Sequence, residues 1–348
     1  MAGEHKNMVA HDARPLPTRD SPSSGEGEDG PTLTIVMPAL DEERHIAAAL
    51  ASLTRIDTEC YEILVMDGGS RDETRAIVAR LAADNPRIRL IDNPARRQAA
   101  AVNLAASLAA PSAEVLVRAD CHALYPDNFA SEAARRLRAT GATAVVVPLV
   151  TTGVGCMQRA IAAAQNSRLG NGGAVHRRLG VAGFVDHGHH AAFDLEFYRR
   201  LGGYDPSFSH NEDAEFDLRQ ARAGGRIWLE PTLAVTYYPR ETLRELARQY
   251  FRYGAGRART VRKHRVRLRV RQLAPVALVG VGGAGLLLAP WLPQALLVPL
   301  AYGLLCLGWG GSEALRHRDP CLLASGAAAV VMHVSWAFGF LRAIARPV

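Results

Sequence analysis

Short apolar runs and helical patterns alternate along the chain from about residue 32 to residue 240. The runs are rich in β-branched residues, as strands are. After the first run, Ile46, Leu50 and Leu53 recur at the spacing of one helix face. Repeated strand–helix units predict an α/β domain with a mostly parallel sheet and helices on both of its faces. The predicted strands are TLTIVM (32–37), YEILVM (61–66), RIRLID (87–92), EVLVRAD (114–120) and TAVVVPLV (143–150).

The C-terminal part has a different pattern, because it is uncharged from Leu273 to Ser312. A membrane-spanning helix needs about 20 apolar residues. This stretch therefore predicts two spans, at about 273–290 and 293–311, separated by APWLP (289–293). A third apolar stretch predicts a span at about 320–341, with a re-entrant segment as the alternative. We expect residues 273–348 to form a membrane domain.

Basic residues are concentrated just before the first predicted span. Residues 257–271 contain seven Arg, one Lys and no acidic residue, in a chain with a net charge of +7. We interpret residues 257–272 as a juxtamembrane segment that contacts anionic membrane lipids, which places the preceding residues in the cytosol by the positive-inside rule. Nucleic-acid binding is the alternative for such a run. It leaves the acidic residues at the strand ends unexplained, so we predict no nucleic acid partner.

The rest of the composition sets two further expectations. Residues 1–30 lack an apolar core and are rich in Pro, Ser, Gly and acidic residues, which predicts a disordered tail. The five cysteines are scattered and form no C-x-x-C pair, which predicts reduced thiols and no disulfide framework.

Acidic residues follow several of the predicted strands. Glu42, Asp67 and Asp120 come after the first, second and fourth strands, and His122 lies two residues beyond Asp120. Ligands of parallel sheets bind beyond the carboxyl ends of the strands, so we expect these side chains to share one crevice. A carboxylate and a neutral imidazole suit Mn²⁺ or Mg²⁺, and a metal would let an acidic crevice accept a nucleotide diphosphate. D-x-H alone is typical of a strand-end turn; its place in a series of acidic strand ends favours a metal pair.

Two further polar stretches are candidates for substrate contact. Asp213 follows a loop rich in Gly, Pro and Ser and opens a predicted helix, where an ionised carboxylate is favoured. It is therefore either a general base or only a helix cap. In DHGHH (186–190), a β-stretch would place His187 and His189 on one face and His190 on the other. Since this does not gather three imidazoles on one ion, we favour contact with a substrate over a second metal site.

The order of these stretches resembles the family 2 glycosyltransferases with the GT-A fold. IVMPALDEERHIAAAL resembles the opening strand with its P-x-x-N-E turn, and ILVMDGGSRDETRAIV resembles the V-D-D-G-S-x-D-x-T stretch. RADCHA stands where the family has D-x-D, SHNEDAEFDLR resembles the E-D motif, and RQYFRYGAGRART resembles a Q-x-x-R-W-like segment. The resemblance covers about residues 31–260. More narrowly, QNSRLGNGG, VDHGHHA, GGYDPSFSHNEDAE and YFRYGAGRART resemble ExoA-type succinoglycan-biosynthesis glucosyltransferases. The resemblance implies a GT-A domain over residues 31–256.

The resemblance also implies an activity. The enzyme would be anchored in the cell membrane with its catalytic domain in the cytosol. It would move a hexose, with inversion, from a nucleotide sugar, UDP-glucose, to a lipid-linked saccharide acceptor. Asp213 would be the base, Glu212 would contact the acceptor, and Asp120 with His122 would hold Mn²⁺ or Mg²⁺. The implied substrate contacts are Pro38, Ala39, Glu42 and Asp67 for the nucleotide, Arg97 and Gln98 for the phosphates, Gln249, Arg252 and Tyr253 near the diphosphate and the acceptor entrance, and His189, His190 and Asn211 for the acceptor.

The chain departs from the family pattern at two motifs. Gly68 replaces the second Asp of D-D-G-S, and Tyr253 replaces the Trp found in processive synthases. With about three spans as well, we do not expect polymerisation and extrusion of a polysaccharide. Two alternatives remain, a polyprenyl-phosphate glycosyltransferase and an inactive paralogue that scaffolds an assembly complex. The retained Asp120, His122 and Asp213 argue against the second.

Overall fold

The structure is a computed structural model that describes residues 32–173, 181–268 and 270–345, without the side chain of Arg271. The predicted tail at residues 1–30 lies outside the described residues. The strands are β1 (Leu33–Ala39), β2 (Tyr61–Asp67), β3 (Ile88–Asp92), β4 (Val115–Arg118), β5 (Ala123–Leu124), β6 (Ala144–Val147), β7 (Leu149–Thr151), β8 (Gly183–Val185), β9 (His189–Asp194), β10 (Ile227–Leu229) and β11 (Val235–Tyr237). The helices are α1 (Ile46–Leu53), α2 (Thr74–Asp84), α3 (Gln98–Leu108), α4 (Phe129–Thr140), α5 (Cys156–Asn166), α6 (Arg168–Asn171), α7 (Leu195–Arg200), α8 (Glu212–Arg222), α9 (Leu243–His264), α10 (Val270–Leu288), α11 (Leu297–His317) and α12 (Ser325–Ile344).

The main sheet has the strand order β3-β2-β1-β4-β9-β6-β10-β8. Its first four strands are parallel, and β6 with β10 is parallel too, which confirms the predicted mostly parallel sheet. The antiparallel β9 lies between β4 and β6 and was not predicted. The predicted strand at 143–150 is divided into β6 and β7, because Pro148 lies between them and has no N–H to donate to a ladder. β7 instead joins a small sheet in the order β5-β11-β7.

The central strands are apolar along their whole length because both faces of the sheet are covered. Ile35 and Ile63 pack on the side of α1 and α4, whereas Val36 and Leu64 pack on the alanine-rich α3. The three apolar positions predicted on one face of α1 are all buried in this core. The sheet is therefore a rigid support whose strand ends hold their side chains in fixed positions.

The apolar C-terminal part forms α10, α11 and α12. Two helical segments in the described residues, Pro293–His317 and Pro320–Ile344, are long and apolar enough to cross a membrane, by length and composition alone. The segment Gln272–Leu288, where the first of three spans was predicted, is apolar but shorter.

α12 packs side by side with α9, which belongs to the catalytic half of the chain. A Cβ atom added to Gly254 would lie 1.9 Å from the carbonyl oxygen of Trp336, and one added to Gly339 would lie 1.9 Å from that of Phe251. The two helices run in the same direction, since Leu246 near the start of α9 packs with Met332 and Arg262 near its end donates to the carbonyl of Ala343. Close backbone contact of this kind requires glycine.

The predicted boundary after residue 256 falls inside α9, which continues to His264. The basic run therefore begins within a helix that is packed against the catalytic domain. Lys263 Nζ lies 2.8 Å from Asp205 and 2.6 Å from Glu215, and Arg259 donates to the carbonyl of Ser207. These basic residues contact protein and are not directed only at lipid, so we place the proposed boundary after α9.

A disulfide joins Cys156 at the start of α5 to Cys321, just before α12. The expectation of reduced thiols is wrong for this pair. The two residues are separated by 165 positions, and only the packing of α5 against α12 brings them together, so their spacing carries no signal. Arg159 and Asp319 form a salt bridge of 3.0 Å beside the disulfide. The end of α11 is thus fixed to the catalytic domain.

Candidate active site

The carboxyl ends of β1, β2 and β4 lie at one edge of the sheet, because the three strands are parallel and in register. Ala39 at the end of β1 lies beside Asp67 at the end of β2, and Val36 lies beside Arg118 at the end of β4. A cleft of about 970 Å³ opens next to this edge. Its polar part is lined by Gln98, Arg118, Asp120, His122, His187, His189, Asn211, Glu212 and Asp213.

Asp120 is held from several sides. Its carboxylate accepts a hydrogen bond of 2.9 Å from Gln98 Nε2 and lies 3.6 Å from Arg118 and 3.6 Å from His189 Nε2. Burial on its own would raise the pKa of Asp120, but Arg118, His189 and His122 lower it to about 2. Burial also lowers the pKa of His189 to about 4, so this imidazole is neutral at neutral pH.

His122 is oriented by Glu42, whose carboxylate lies 3.2 Å from its Nδ1. This contact orients the ring and leaves its Nε2 atom available to bind a metal. Hydrogen bonds to the other ring nitrogen orient histidine ligands in this way at many metal sites. A carboxylate beside an imidazole is a donor set that suits Mn²⁺. Burial on its own would lower the pKa of His122, but Glu42 and Asp120 raise it, so a metal would displace the ring proton on binding. No group of three or more His, Cys, Asp or Glu residues in the described ranges converges as a complete metal site. A metal held by Asp120 and His122 would therefore need further ligands from outside these side chains.

Arg118 is the residue of the cleft that sequence reasoning missed. It ends the apolar strand VLVR and is buried, and its guanidinium donates 3.1 Å to the hydroxyl of Tyr204. It also lies 3.9 Å from Glu212 and 5.7 Å from the centre of the Tyr204 ring. An arginine at an inward position of a buried strand was the available signal, since a buried cation needs partners.

Glu212 and Asp213 begin α8, after Asn211 in the left-handed region with a φ of 63°. Glu212 is buried, and burial with the nearby Asp213 raises the pKa of Glu212 to about 7, although Arg118 opposes this. Asp213 is less buried and also lines the cleft. The two neighbouring carboxylates therefore have different surroundings, and Asp213 is the more accessible to a substrate.

The histidines of DHGHH separate as the predicted alternation requires. His187 and His189 line the cleft, whereas His190 is fully buried and does not. His190 Nε2 lies 2.7 Å from Asp217, which also lies 2.6 Å from His187 Nδ1, and His190 Nδ1 lies 2.7 Å from the Tyr204 hydroxyl. The expected contact of His190 with the acceptor is therefore wrong in this structure. Its ring supports Tyr204 from behind the cleft, and sequence reasoning also missed Asp217.

Two residues expected to contact the donor are engaged elsewhere. The carboxylate of Asp67 is fully buried, where it accepts hydrogen bonds from the amides of Gly69 and Ser70 and a salt bridge of 2.5 Å from Arg75. Asp67 thus shapes its own loop, and no direct contact with a base is open to it in this conformation. Arg97 donates to the carbonyl of Pro206, so it holds a loop beside the cleft.

The α9 residues expected near the acceptor entrance do line the cleft. Gln249 donates 3.3 Å to the hydroxyl of Tyr237 and 3.0 Å to that of Tyr253, and the Tyr237 ring meets His122 edge-on. The Oε1 atom of Gln249 is buried and has no hydrogen-bond partner among the described residues. A buried acceptor without a partner is costly, so this atom is well placed to accept from a ligand.

The comparisons agree with this architecture. Residues 34–202 match the family model described as "Glycosyl transferase family 2". The chain is 43% identical over 314 residues to the succinoglycan biosynthesis protein ExoA of Rhizobium meliloti (strain 1021), covering 88% of this chain and 93% of that protein. The chain belongs to glycosyltransferase family 2.

Two more distant proteins are similar to this glycosyltransferase. One is the dolichyl N-acetyl-alpha-D-glucosaminyl phosphate 3-beta-D-2,3-diacetamido-2,3-dideoxy-beta-D-glucuronosyltransferase of Methanococcus voltae, 23% identical over 66% of this chain and 74% of that protein. The other is the solved structure of the mannosyltransferase PcManGT from Pyrobaculum calidifontis in complex with GDP-Man and Mn²⁺. It has a TM-score of 0.59 and 21% identity, and covers 88% of this chain and 86% of that chain. This likeness confirms the predicted GT-A fold.

The raised pKa of Glu212 predicts a pH-dependent stability effect. The folded pKa of about 7 lies above the ordinary glutamate pKa of 4.5, so the wild-type glycosyltransferase loses stability as the pH rises through this interval. Glu212→Gln has no charge to bury. We expect its melting temperature, relative to wild type, to be higher at pH 8 than at pH 5. Calorimetry at both pH values checks this, and an equal difference at both would contradict the burial of the charge.

Proposed function

We propose that this family 2 glycosyltransferase moves glucose from UDP-glucose to a lipid-linked saccharide on the cytosolic side of the membrane. The observation that carries the proposal is a single cleft that joins Asp120 and Asp213 to residues of α10, α11 and α12. The similar ExoA protein is named for succinoglycan biosynthesis. The name of the Methanococcus voltae relative describes a lipid-linked sugar as the acceptor. The second name favours a saccharide acceptor on a lipid over polyprenyl phosphate alone.

In the proposed donor site, Asp120 and His122 would hold Mn²⁺ or Mg²⁺, with His189 beside them. The metal would neutralise charge on the leaving diphosphate. Gln98 orients Asp120, and Glu42 orients His122, through the hydrogen bonds described above. We assign the nucleoside to the crevice beside Pro38 and Ala39, where the loop built on Asp67 closes one side.

Asp213 is the proposed general base. As the acceptor hydroxyl attacks the anomeric carbon, its proton passes to the Asp213 carboxylate while the bond from that carbon to the nucleoside diphosphate breaks. One displacement of this kind inverts the anomeric configuration. Glu212 lies between Arg118 and the acceptor side, where it would accept a hydrogen bond from the acceptor sugar, with Asn211 and His189 nearby.

We also propose that α10 and α11 cross the membrane as a hairpin while α12 remains on the cytosolic side. α12 lies along α9, which carries the exposed Arg244, Arg248 and Arg252 and cannot enter the bilayer. The salt bridge between Asp319 and Arg159 and the packing of α5 against α12 hold the end of α11 at the catalytic domain, so the hairpin begins and ends on one side. Exposed basic residues after α9 would then meet anionic lipid.

For the general base, we expect Asp213→Asn to lower transfer by about 100-fold or more, because it removes basicity and keeps the side-chain shape. Donor affinity should stay close to wild type, and Glu212→Gln should reduce transfer less. Turnover, donor affinity and melting temperature are to be measured on both variants. If Asp213→Asn loses only thermal stability while turnover per folded molecule is kept, the side chain is merely a helix cap.

For the metal, we expect transfer to stop in EDTA and to return with Mn²⁺ or Mg²⁺. Asp120→Asn should weaken Mn²⁺ binding in the presence of UDP by about tenfold or more, as loss of a ligand or its support does. Mn²⁺ binding followed by electron paramagnetic resonance reports this directly. Asp84→Asn, at an exposed position on α2, is the control. Unchanged Mn²⁺ affinity in Asp120→Asn would contradict the metal assignment.

For the membrane arrangement, we expect a reporter fused after residue 345 to lie in the cytosol and one inserted between Trp291 and Leu292 to lie outside. Green fluorescent protein should therefore be fluorescent at the first position, and alkaline phosphatase active only at the second. Active alkaline phosphatase after residue 345 would mean that α12 crosses the bilayer.

A further inference from the structure

The cleft has a second, apolar end that the sugar chemistry does not use. Beyond the catalytic carboxylates it is lined by Leu169 after α5, Leu278 of α10, Tyr302 of α11, and Met332 and Trp336 of α12. A nucleotide sugar and a free saccharide are largely polar, so neither would bury these apolar side chains. An apolar wall that continues from a polar reaction site into the proposed membrane helices fits a ligand with a polar head and a long apolar tail.

Between the two ends, α9 presents two arginines to the cleft. Arg248 and Arg252 lie one helical turn apart and are exposed, and both line the cleft. Neither has a hydrogen bond or salt bridge to any residue in the described part of the chain, whereas Arg259 and Lys263 on the same helix contact protein groups. Glu245 also lines the cleft, one turn before Arg248, and its carboxylate accepts a hydrogen bond from Thr242. Among the described residues, neither arginine is therefore paired with a carboxylate.

A third cation adds to this field. Arg240 lines the same cleft, and burial together with Arg252 and Arg240 lowers the pKa of His210 to about 4. Arg240 and Arg252 both lie close enough to His210 to act on its charge, so at least two guanidinium groups share this part of the cleft. Pairs of arginines suit the oxygens of a phosphate or diphosphate, because the guanidinium donates two parallel hydrogen bonds.

Gln249 of α9 donates to the hydroxyls of Tyr237 and Tyr253, and the Tyr237 ring meets His122 edge-on, so the arginine face of α9 and the proposed metal pair open into the same cleft. The resemblance places Arg252 near the diphosphate and the acceptor entrance, which makes the donor diphosphate the competing anion for the arginine pair. The binding test therefore keeps the donor site filled with UDP and Mn²⁺.

We propose that Arg248 and Arg252 bind the phosphate or diphosphate headgroup of the acceptor lipid, whose chain leaves the cleft between α10 and α12. The proposal rests on the proposed function, because it places the acceptor in the same cleft. The headgroup would fix the acceptor sugar at a set distance from Asp213. The chain would lie against Leu278, Met332 and Trp336 and continue into the bilayer.

The test measures binding to full-length protein in phosphatidylcholine nanodiscs, with saturating UDP and Mn²⁺ in the donor site. The probes are farnesyl diphosphate, inorganic pyrophosphate and farnesol. We expect farnesyl diphosphate to bind more tightly than either of the other two. The double variant Arg248→Gln/Arg252→Gln should weaken its binding by about tenfold or more, the scale expected when charged hydrogen bonds are lost. Arg244→Gln, an exposed position of α9 outside the cleft, is the matched control and should bind as wild type does.

The apolar path has its own matched pair on α10. Leu278→Trp narrows the cleft, so it should weaken the binding of farnesyl diphosphate and leave the affinity for pyrophosphate unchanged. Leu287→Trp, at an exposed position, should change neither affinity. Equal affinity for pyrophosphate and farnesyl diphosphate would overturn the lipid path. Loss of farnesyl diphosphate binding on addition of UDP and Mn²⁺ would mean that the lipid occupies the donor site, which would overturn the proposal. Equal farnesyl diphosphate affinity in the Arg248/Arg252 double variant and the Arg244 variant would overturn the assignment of the headgroup to the arginine pair. Because binding is measured without sugar transfer, a failure of the proposed function would appear separately, as an enzyme that binds the lipid but glycosylates no lipid-linked acceptor.

Discussion

The buried guanidinium of Arg118 is the interaction on which the cleft depends. Asp120, Glu212 and Asp213 all lie within its electrostatic reach, and each raises the pKa of Arg118. Three carboxylates so close together would repel one another without a shared cation, and removal of one partner from a buried charge pair is strongly destabilising. Tyr204 and His190 in turn hold the guanidinium in place. Within the DHGHH stretch, His190 therefore supports Arg118 through Tyr204, whereas His187 and His189 line the cleft.

Much of the catalytic half follows from local sequence patterns. Alternating strands and helices are strong signals, and parallel strands in register bring the residues after β1, β2 and β4 to one edge. Asp120, His122 and Asp213 were found in this way, because chemistry-bearing residues at strand ends and helix starts stand out from an apolar background. The antiparallel β9 was not, because its apolar residues fit a strand of either direction and its neighbours come from distant parts of the chain.

The remaining features depend on contacts that no local pattern encodes. Gly254 and Gly339 are ordinary small residues in sequence and become essential only when α9 and α12 touch. Cys156 and Cys321 lack a recognisable spacing. The position of Asp67 at a strand end predicts contact with the nucleotide. Its carboxylate is instead occupied by the amides of Gly69 and Ser70 and by Arg75, so the position did not predict how accessible the side chain is. Local pattern thus identifies candidate chemistry, and packing decides which side chains remain open to a ligand.

The shared use of α9 has a consequence for how enzymes of this kind diversify. One side of this helix supplies Gln249 and Tyr253 to the cleft, and another receives α12 at Gly254. A recombination event that exchanged only the apolar C-terminal part would place an unmatched helix against that glycine and disturb the cleft at the same time. Gene exchange is therefore expected to transfer α9 together with α10, α11 and α12 as one inherited block, with crossover points in the loop before Thr242.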